Sequence, residues 1–265
     1  MKKLLIASIA SFVMTAGAAQ AADLRLPLKA PVAPAPEWSW TGFYLGGGFG
    51  YGISDLSTTP VGAAGPLTGS LDNAGRGWVG QVKGGADYQF APGPFGTIVA
   101  GVFADWDPSD LKGTFSTGYA TTFNNPINGP EKINSSWAVG GRIGWLVTPT
   151  VLSYFNGGYT NERLGGFNGT SFGVGIPSPT LVSFSSHNEG GWFTGGGIEA
   201  PVTITFLPIH GLFFYTEYRY SYFNATTLAN TTPGGAGVGL TGITVKSNVQ
   251  SVVSGLDYRF NWNGH

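Results

Sequence analysis

Hydrophobic and polar residues alternate along most of the chain beyond residue 40. In Gly42–Ile53 the odd-numbered positions are mostly aromatic or aliphatic, whereas the even-numbered positions are mostly glycine. A period of two is that of a β-strand whose two faces meet different surroundings. The pattern predicts eight strands of roughly 10–14 residues, at 42–53, 77–90, 96–106, 135–147, 151–162, 191–205, 212–223 and 248–262.

The charged residues of these segments lie on the face opposite the large hydrophobic side chains. In the seventh segment, Tyr218 falls on one face, and Glu217 and Arg219 fall on the other. Ionised side chains avoid hydrocarbon and survive burial by pairing, so this face is predicted to line an enclosed interior. The predicted inward charged residues are Lys83, Asp87, Asp105, Arg142, Glu162, Glu199, Glu217, Arg219, Asp257 and Arg259.

The connections between the predicted strands alternate in length. They are short at 91–95, 148–150 and 206–211, and long at 54–75, 107–134, 164–190 and 224–247. This alternation predicts an all-β fold, a transmembrane antiparallel up-and-down β-barrel of eight strands with short periplasmic turns and four long extracellular loops. The first strand is expected to pair with the last, because an open sheet edge would leave backbone groups unsatisfied in hydrocarbon.

The start of the chain has the composition of an export signal. Two lysines precede a short apolar run, which ends in Ala-Gln-Ala. Residues 1–21 are therefore predicted to be a cleaved signal peptide, and the Ala- and Pro-rich residues 22–39 an extended periplasmic leader. The barrel is expected to span 40–262, followed by a short tail at 263–265.

The composition is unusual for a protein surrounded by water. Charged residues make up 10% of the chain, aromatic residues 14%, and glycine occurs 44 times, whereas about a quarter of an ordinary soluble surface is charged. We expect outer-membrane lipid and lipopolysaccharide to contact this surface. A net charge of -1 argues against nucleic acid as a partner, and the absence of cysteine excludes disulfides and thiolate metal sites.

Two hypotheses account for the inward charges. An eight-stranded barrel is just wide enough for side chains to fill it, so the interior could be salt-bridged and wet, with no continuous pore. Alternatively, six acids facing four bases would give a narrow passage with a weak preference for cations. Inward glycines would leave room for water in either case.

The pattern contains little that points to catalysis. The histidines His187, His210 and His265 fall in a long loop, a short turn and the tail, respectively. No catalytic residue, cofactor or metal site is predicted, and the protein is not expected to be an enzyme. His187 is near the predicted outer rim and is the candidate ligand-binding residue of the loops, although a solvated loop histidine is the simpler interpretation.

Three segments resemble the Omp25/Omp31-like outer-membrane immunogenic proteins of alphaproteobacteria. They are WSWTGFYLGGGFGYG at 38–52, GWFTGGGIEAPV at 191–202 and SGLDYRF at 254–260. The resemblance covers the whole mature chain and implies an eight-stranded porin-family or surface-antigen barrel. Because some relatives are described as haem binders, it also implies an alternative role, the binding of haem or host partners by the extracellular loops.

The resemblance also implies a C-terminal signal for the barrel-assembly machinery. In such proteins the last strand ends in an aromatic residue, with an aromatic residue two positions earlier and an apolar residue four positions earlier. Phe260, Tyr258 and Leu256 match this pattern. The chain departs from it by continuing through Trp262 and residues 263–265.

Overall fold

The computed structural model describes residues 38–66, 71–94, 96–119, 126–171, 180–202, 210–231 and 240–261. The predicted signal peptide, most of the leader, Trp262 and the tail at 263–265 lie outside these residues. Regular structure in the described residues is entirely β-strand. None of them forms a helix long and apolar enough to cross a membrane.

Twelve strands occur in the described residues. They are β1 (Gly42–Gly62), β2 (Gly65–Pro66), β3 (Leu71–Gln89), β4 (Ile98–Tyr119), β5 (Pro126–Thr148), β6 (Val151–Leu164), β7 (Phe167–Ser171), β8 (Thr180–Phe184), β9 (His187–Pro201), β10 (Leu212–Phe223), β11 (Thr226–Ala229) and β12 (Leu240–Asn261).

Eight of these strands pair into a closed antiparallel ring. The order around the ring is β1, β3, β4, β5, β6, β9, β10 and β12. The ring closes where β12 pairs with β1, in a register that runs from Gly42 opposite Asn261 to Gly62 opposite Leu240. The prediction of an antiparallel all-β barrel is confirmed, and closure satisfies the backbone of both terminal strands.

The two ends of the barrel differ in the length of their connections. At one end, β5 and β6 are joined by a tight turn, and the connection from β3 to β4 turns back at Gly93 and Gly96, which pair with each other. Gly96 has a φ of 86°, a conformation that glycine adopts without steric strain. This is the short-turn end. The opposite end, where the strands continue further, is called the extended end.

The predicted long loops are largely strand in the structure, which corrects the predicted boundaries. The first strand continues to Gly62 rather than Ile53, and β4 continues to Tyr119 rather than Trp106. The short strands β7, β8 and β11 also lie within predicted loops. These regions are rich in Ser, Thr, Asn and Gly, which show little hydrophobic contrast between faces, so the period of two is hard to see in the sequence.

The outer face of the barrel carries a belt of exposed hydrophobic side chains. Exposure reaches 64% at Val102 and 62% at Phe49. At the upper edge of the belt, toward the extended end, large aromatic residues form what we call the outer girdle: Trp78, Trp106, Trp137, Tyr159 and Trp192. Exposed apolar surface of this extent, bordered by aromatic residues, is typical of a wall that faces membrane hydrocarbon.

A charge placed in the middle of this belt is expected to be strongly destabilising. Val102 lies on β4 midway between Ile98 and Trp106, so Val102→Arg would put a guanidinium in hydrocarbon and lower the free energy of unfolding by about 2–4 kcal/mol. Urea titration of protein refolded in lipid vesicles measures the change. Thr114→Arg, at an exposed position of the same strand beyond the girdle, is the matched control and should change it by less than about 1 kcal/mol. Equal effects at both positions would contradict a membrane-embedded belt.

Candidate functional site

The candidate site is the interior of the barrel, where the structure places the charged face. The ten predicted inward charged residues are all buried, with exposures between 0% and 6%. Nine of them take part in ion pairs. These pairs form three groups that follow one another from the short-turn end toward the outer girdle.

The group nearest the short-turn end is a closed square of two arginines and two carboxylates. The Nε atom of Arg142 lies 2.9 Å from Oδ1 of Asp87, and its Nη1 lies 3.4 Å from Oε2 of Glu199. Arg259 contacts the same two acids, at 2.8 Å for Asp87 Oδ2 and 2.6 Å for Glu199 Oε1. The Arg142 guanidinium also lies over the ring of Tyr44, 4.3 Å from its centroid. Each charge of the square therefore meets two opposite charges, which offsets the desolvation of all four.

A glycine on the intervening strand allows this square to form. Asp87 on β3 and Arg142 on β5 are both register partners of Gly101 on β4. A Cβ atom at Gly101 would lie 2.0 Å from Oδ1 of Asp87. The missing side chain therefore leaves the space in which the two charged groups meet.

The second group has the same arrangement around a glycine of β1, which is two strands from β4 in the ring. Lys83 Nζ lies 2.9 Å from Oδ2 of Asp257. Both residues are register partners of Gly46 on β1, where a Cβ atom would lie 1.8 Å from the Asp257 carboxylate. The Lys83 ammonium also lies 3.2 Å from the ring centroid of Tyr215, a distance at which a cation–π contact is favourable.

The third group is centred on Arg219, close to the outer girdle. Its guanidinium contacts Asp105 at 3.1 Å, Asp107 at 3.2 Å and Glu217 at 2.9 Å. The ring of Phe193 lies 4.6 Å from the guanidinium carbon. Three acids around one arginine leave an excess of negative charge at this level.

Space beside the inward glycines is filled by aromatic side chains rather than by water, which corrects the sequence-based expectation. A Cβ atom at Gly85 would lie 2.5 Å from the Tyr44 hydroxyl, and one at Gly48 would lie 2.3 Å from the Tyr215 hydroxyl. The Tyr215 hydroxyl in turn donates a hydrogen bond of 2.8 Å to Gln81. Large rings and small residues therefore interdigitate across the lumen.

Beyond the outer girdle the interior becomes apolar. Phe167 packs against both Phe115 and Phe184, with tilted rings whose centroids lie 4.6 Å and 4.9 Å apart. Leu56 and Ile243 belong to the same buried cluster. Most of these residues come from segments that the sequence pattern assigned to loops, and they close the extended end of the barrel with a hydrophobic core.

Three acids at the level of this apolar core lack a basic partner among the described residues. Glu162 and Glu189 are register partners on β6 and β9, and each is 1% exposed; Glu131 is 3% exposed. Neither carboxylate oxygen of Glu189 accepts a hydrogen bond from the described part of the chain, and the Ser247 hydroxyl lies beside the Glu162 carboxylate. Of the three, only Glu162 belongs to the predicted inward set.

The pKa values of these acids, which lie past the outer girdle, reflect this environment. Burial raises the pKa of Glu131 to about 7 and that of Glu189 to about 8. Burial, together with the charges of Glu189 and Glu131, raises the pKa of Glu162 well above its usual range. These carboxyl groups therefore hold protons at a pH at which an exposed glutamate is ionised.

The sequence pattern missed three inward acids, Asp107, Glu131 and Glu189. It assigned all three to loops, whereas the structure places them on β4, β5 and β9 with their side chains buried. Extending the alternation past the girdle residues Trp106 and Trp192 would have assigned Asp107 and Glu189 to the inward face. It would not have found Glu131, because a register shift between Ile133 and Ser135 switches the faces of β5 beyond Trp137.

The other predicted site residues lie away from the lumen charges. His187 is the first residue of β9 and pairs with Leu164, so it lies at the strand end rather than within a long loop. In the described ranges, no three His, Cys, Asp or Glu side chains are grouped closely enough to hold a metal ion. The proposed assembly-signal residues Leu256, Tyr258 and Phe260 all face outward on β12, with exposures of 45%, 40% and 49%.

Comparison with known proteins agrees with this architecture. No family model matches the chain. It is 26% identical over 266 residues to the 31 kDa outer-membrane immunogenic protein of Brucella melitensis, covering 98% of this chain and 100% of the relative. It is 27% identical over 264 residues to the 25 kDa outer-membrane immunogenic protein of Brucella abortus, covering 98% and 99%.

Among solved structures, the outer membrane protein OprG from Pseudomonas aeruginosa superposes with a TM-score of 0.53 at 12% identity, covering 84% of this chain and 97% of OprG. At this identity the likeness concerns the fold alone. Together with the closed ring of antiparallel strands and the exposed apolar belt, these similarities lead to one conclusion. The chain is an outer-membrane β-barrel protein of a Gram-negative bacterium, homologous over nearly its whole length to the 31 kDa and 25 kDa outer-membrane immunogenic proteins of Brucella.

Proposed function

We propose that this protein is a non-enzymatic, surface-exposed structural barrel of the outer membrane whose lumen does not conduct solutes. The observation that carries the proposal is the burial of the charged residues that would line a channel. Glu199 and Asp257 are 0% exposed, and Arg142 is 6% exposed. The residues that line a conducting pore must be accessible from the lumen, because they take the place of the water molecules that an ion loses as it passes.

Two further features support a closed lumen. The ion-paired groups fill the membrane section, and the apolar cluster around Phe115 fills the interior beyond it. A small cavity of about 20 Å³ lies between Arg219, Asp107 and Glu162, which is room for about one water molecule. Of the two hypotheses drawn from the inward charges, the salt-bridged interior is therefore favoured over the cation-preferring passage.

A permeability measurement tests this proposal. Full-length protein refolded into liposomes is expected to allow no more arabinose-driven swelling than protein-free liposomes, and planar bilayers should show no conductance steps. A general porin reconstituted in parallel serves as the positive control, and heat-modifiable migration on a gel shows that the tested protein is folded. Solute-dependent swelling, or reproducible cation-selective steps, would restore the channel hypothesis.

We also propose the biogenesis route that the ends of the chain indicate. Residues 1–21 would direct export and be removed, and 22–39 would form a periplasmic leader. The outward side chains of Leu256, Tyr258 and Phe260 on β12 would then be read by the barrel-assembly machinery before β12 pairs with β1. Outer-membrane lipid, including lipopolysaccharide, would cover the exposed belt of the finished barrel.

A further inference from the structure

The basic residues of the barrel are distributed very unevenly. Among the described residues, four face the lumen, and the remaining five are exposed on the outer face beyond the outer girdle. The described outer face has no basic residue in the apolar belt or at the short-turn end. The five outward residues are Arg76, Lys112, Lys132, Arg163 and Lys246.

Three of these residues stand side by side on adjacent strands. Arg76 on β3 is the register partner of Lys112 on β4, and Lys112 is the register partner of Lys132 on β5. Neighbouring strands are only about 4.8 Å apart, and like charges directly opposite each other are destabilising. We call Arg76, Lys112 and Lys132 the basic row. Arg163 extends it on the next strand, β6.

Only one carboxylate of the described residues is paired with the basic row. Asp110 lies 2.7 Å from Lys112 Nζ and 3.0 Å from Lys132 Nζ. Hydrogen bonds from these two lysines lower the pKa of Asp110, so Asp110 is ionised and its negative charge is shared between the two lysines. The three cations therefore exceed Asp110, the acid paired with them, by two positive charges; Asp55, an exposed acid on β1, lies diagonally across from Arg76. Both lysines remain accessible, with side-chain exposures of 64% and 47%.

The position of the row specifies the kind of anion that can reach it. Arg76 lies two residues from Trp78, a member of the outer girdle that is 44% exposed. The row therefore begins where the apolar belt ends, on the side of the long connections that faces the exterior in outer-membrane barrels. A lipid whose acyl chains cover the apolar belt and whose phosphate groups lie at the membrane interface can contact the belt and the basic row at the same time.

We propose that the basic row binds the phosphate groups of the outer-leaflet glycolipid, the lipid A part of lipopolysaccharide. This inference rests on the proposed function, since it requires the barrel to be embedded in the outer membrane with its extended end outward. Lysine ammonium and arginine guanidinium groups form charge-assisted hydrogen bonds with phosphate oxygens. Two phosphate groups on one lipid match the excess of positive charge, and their binding removes the repulsion within the row.

The test is a titration of the full-length protein in detergent micelles with bisphosphorylated lipid A. The triple variant Arg76→Gln/Lys112→Gln/Lys132→Gln is expected to bind about tenfold or more weakly than wild type, because three interfacial cations are lost. The matched control is Lys246→Gln, which removes an exposed lysine on β12 that lies over Tyr222 and outside the row. The control should change affinity by less than about twofold.

Two comparison ligands separate lipid from free anion. Lipid A stripped of phosphate should bind wild type and the triple variant equally weakly, and millimolar inorganic phosphate should not displace bound lipid A. A second variant, Asp110→Asn, removes the acid that competes with the ligand and should tighten binding about threefold, so the proposal can be judged even if the triple variant fails to fold.

Several outcomes would overturn the proposal: wild-type affinity in the triple variant, an equal loss in Lys246→Gln, binding that is indifferent to lipid phosphate, or competition by inorganic phosphate. None of these outcomes bears on whether the lumen conducts, which the liposome measurement decides. Failure of the basic row and failure of the closed-barrel proposal are therefore distinguishable.

Discussion

Replacing Arg142 with methionine is expected to lower the free energy of unfolding by about 3–5 kcal/mol, the range typical of breaking a buried ion pair from one side. In the wild-type barrel, Asp87 and Glu199 are each held by Arg142 and Arg259. The variant leaves two buried carboxylates facing a single guanidinium. The loss comes mainly from the uncompensated charge rather than from lost packing, since methionine retains an apolar stem of similar length.

Urea titration of vesicle-refolded protein, followed by tryptophan fluorescence, measures this effect. The matched control is the double variant Arg142→Met/Asp87→Leu, which removes one charge of each sign and leaves the Arg259–Glu199 contacts at 2.6 Å and 2.8 Å intact. It is expected to recover most of the loss, because a buried ion pair and an apolar pair of similar volume are often equally stable. A double variant less stable than the single variant would contradict this account of the square.

The second large effect concerns pH and the three buried glutamates beyond the outer girdle. The pKa of Glu189 is raised from about 4.5 to about 8, and that of Glu131 to about 7. Below pH 4.5 the folded and unfolded forms are both protonated at these positions, so the acids do not penalise folding. As pH rises toward 8, the unfolded chain releases its protons more readily than the folded barrel, and stability falls.

We therefore expect the free energy of unfolding to be about 2–4 kcal/mol lower at pH 9 than at pH 5 on account of these acids. The urea midpoint measured at the two pH values reports the difference. In Glu162→Gln/Glu189→Gln, which keeps size and removes two of the three titrations, the dependence should fall to the part that Glu131 contributes, and the pH 9 stability should rise. The control Asp55→Asn alters an exposed carboxylate and should leave the dependence unchanged. A double variant that retains the full pH dependence would show that other groups cause it.

For the membrane section of the barrel, the sequence was enough to predict which face of each strand points outward and which points into the lumen. The predicted seventh strand, 212–223, has the same bounds as β10, and its alternation of exposed and buried residues is the predicted one. The reason is physical: lipid accepts only apolar side chains, while the interior accepts charges that pair, so each face has a distinct composition. Outside the membrane both faces tolerate polar residues. For this reason the predicted strand ends were wrong, and the inward acids Asp107, Glu131 and Glu189 were missed.

The sequence by itself determined that the chain forms an antiparallel barrel, which side of each membrane strand faces lipid, and which charges lie inside. Those properties depend on the period of two, which is local. Only the tertiary structure decided which charges meet, because register and closure bring together residues that are distant in the chain, as Lys83 and Asp257 meet over Gly46. It also placed Arg76, Lys112 and Lys132 in one row, since spacing along a strand carries no information about the residue opposite on its neighbour.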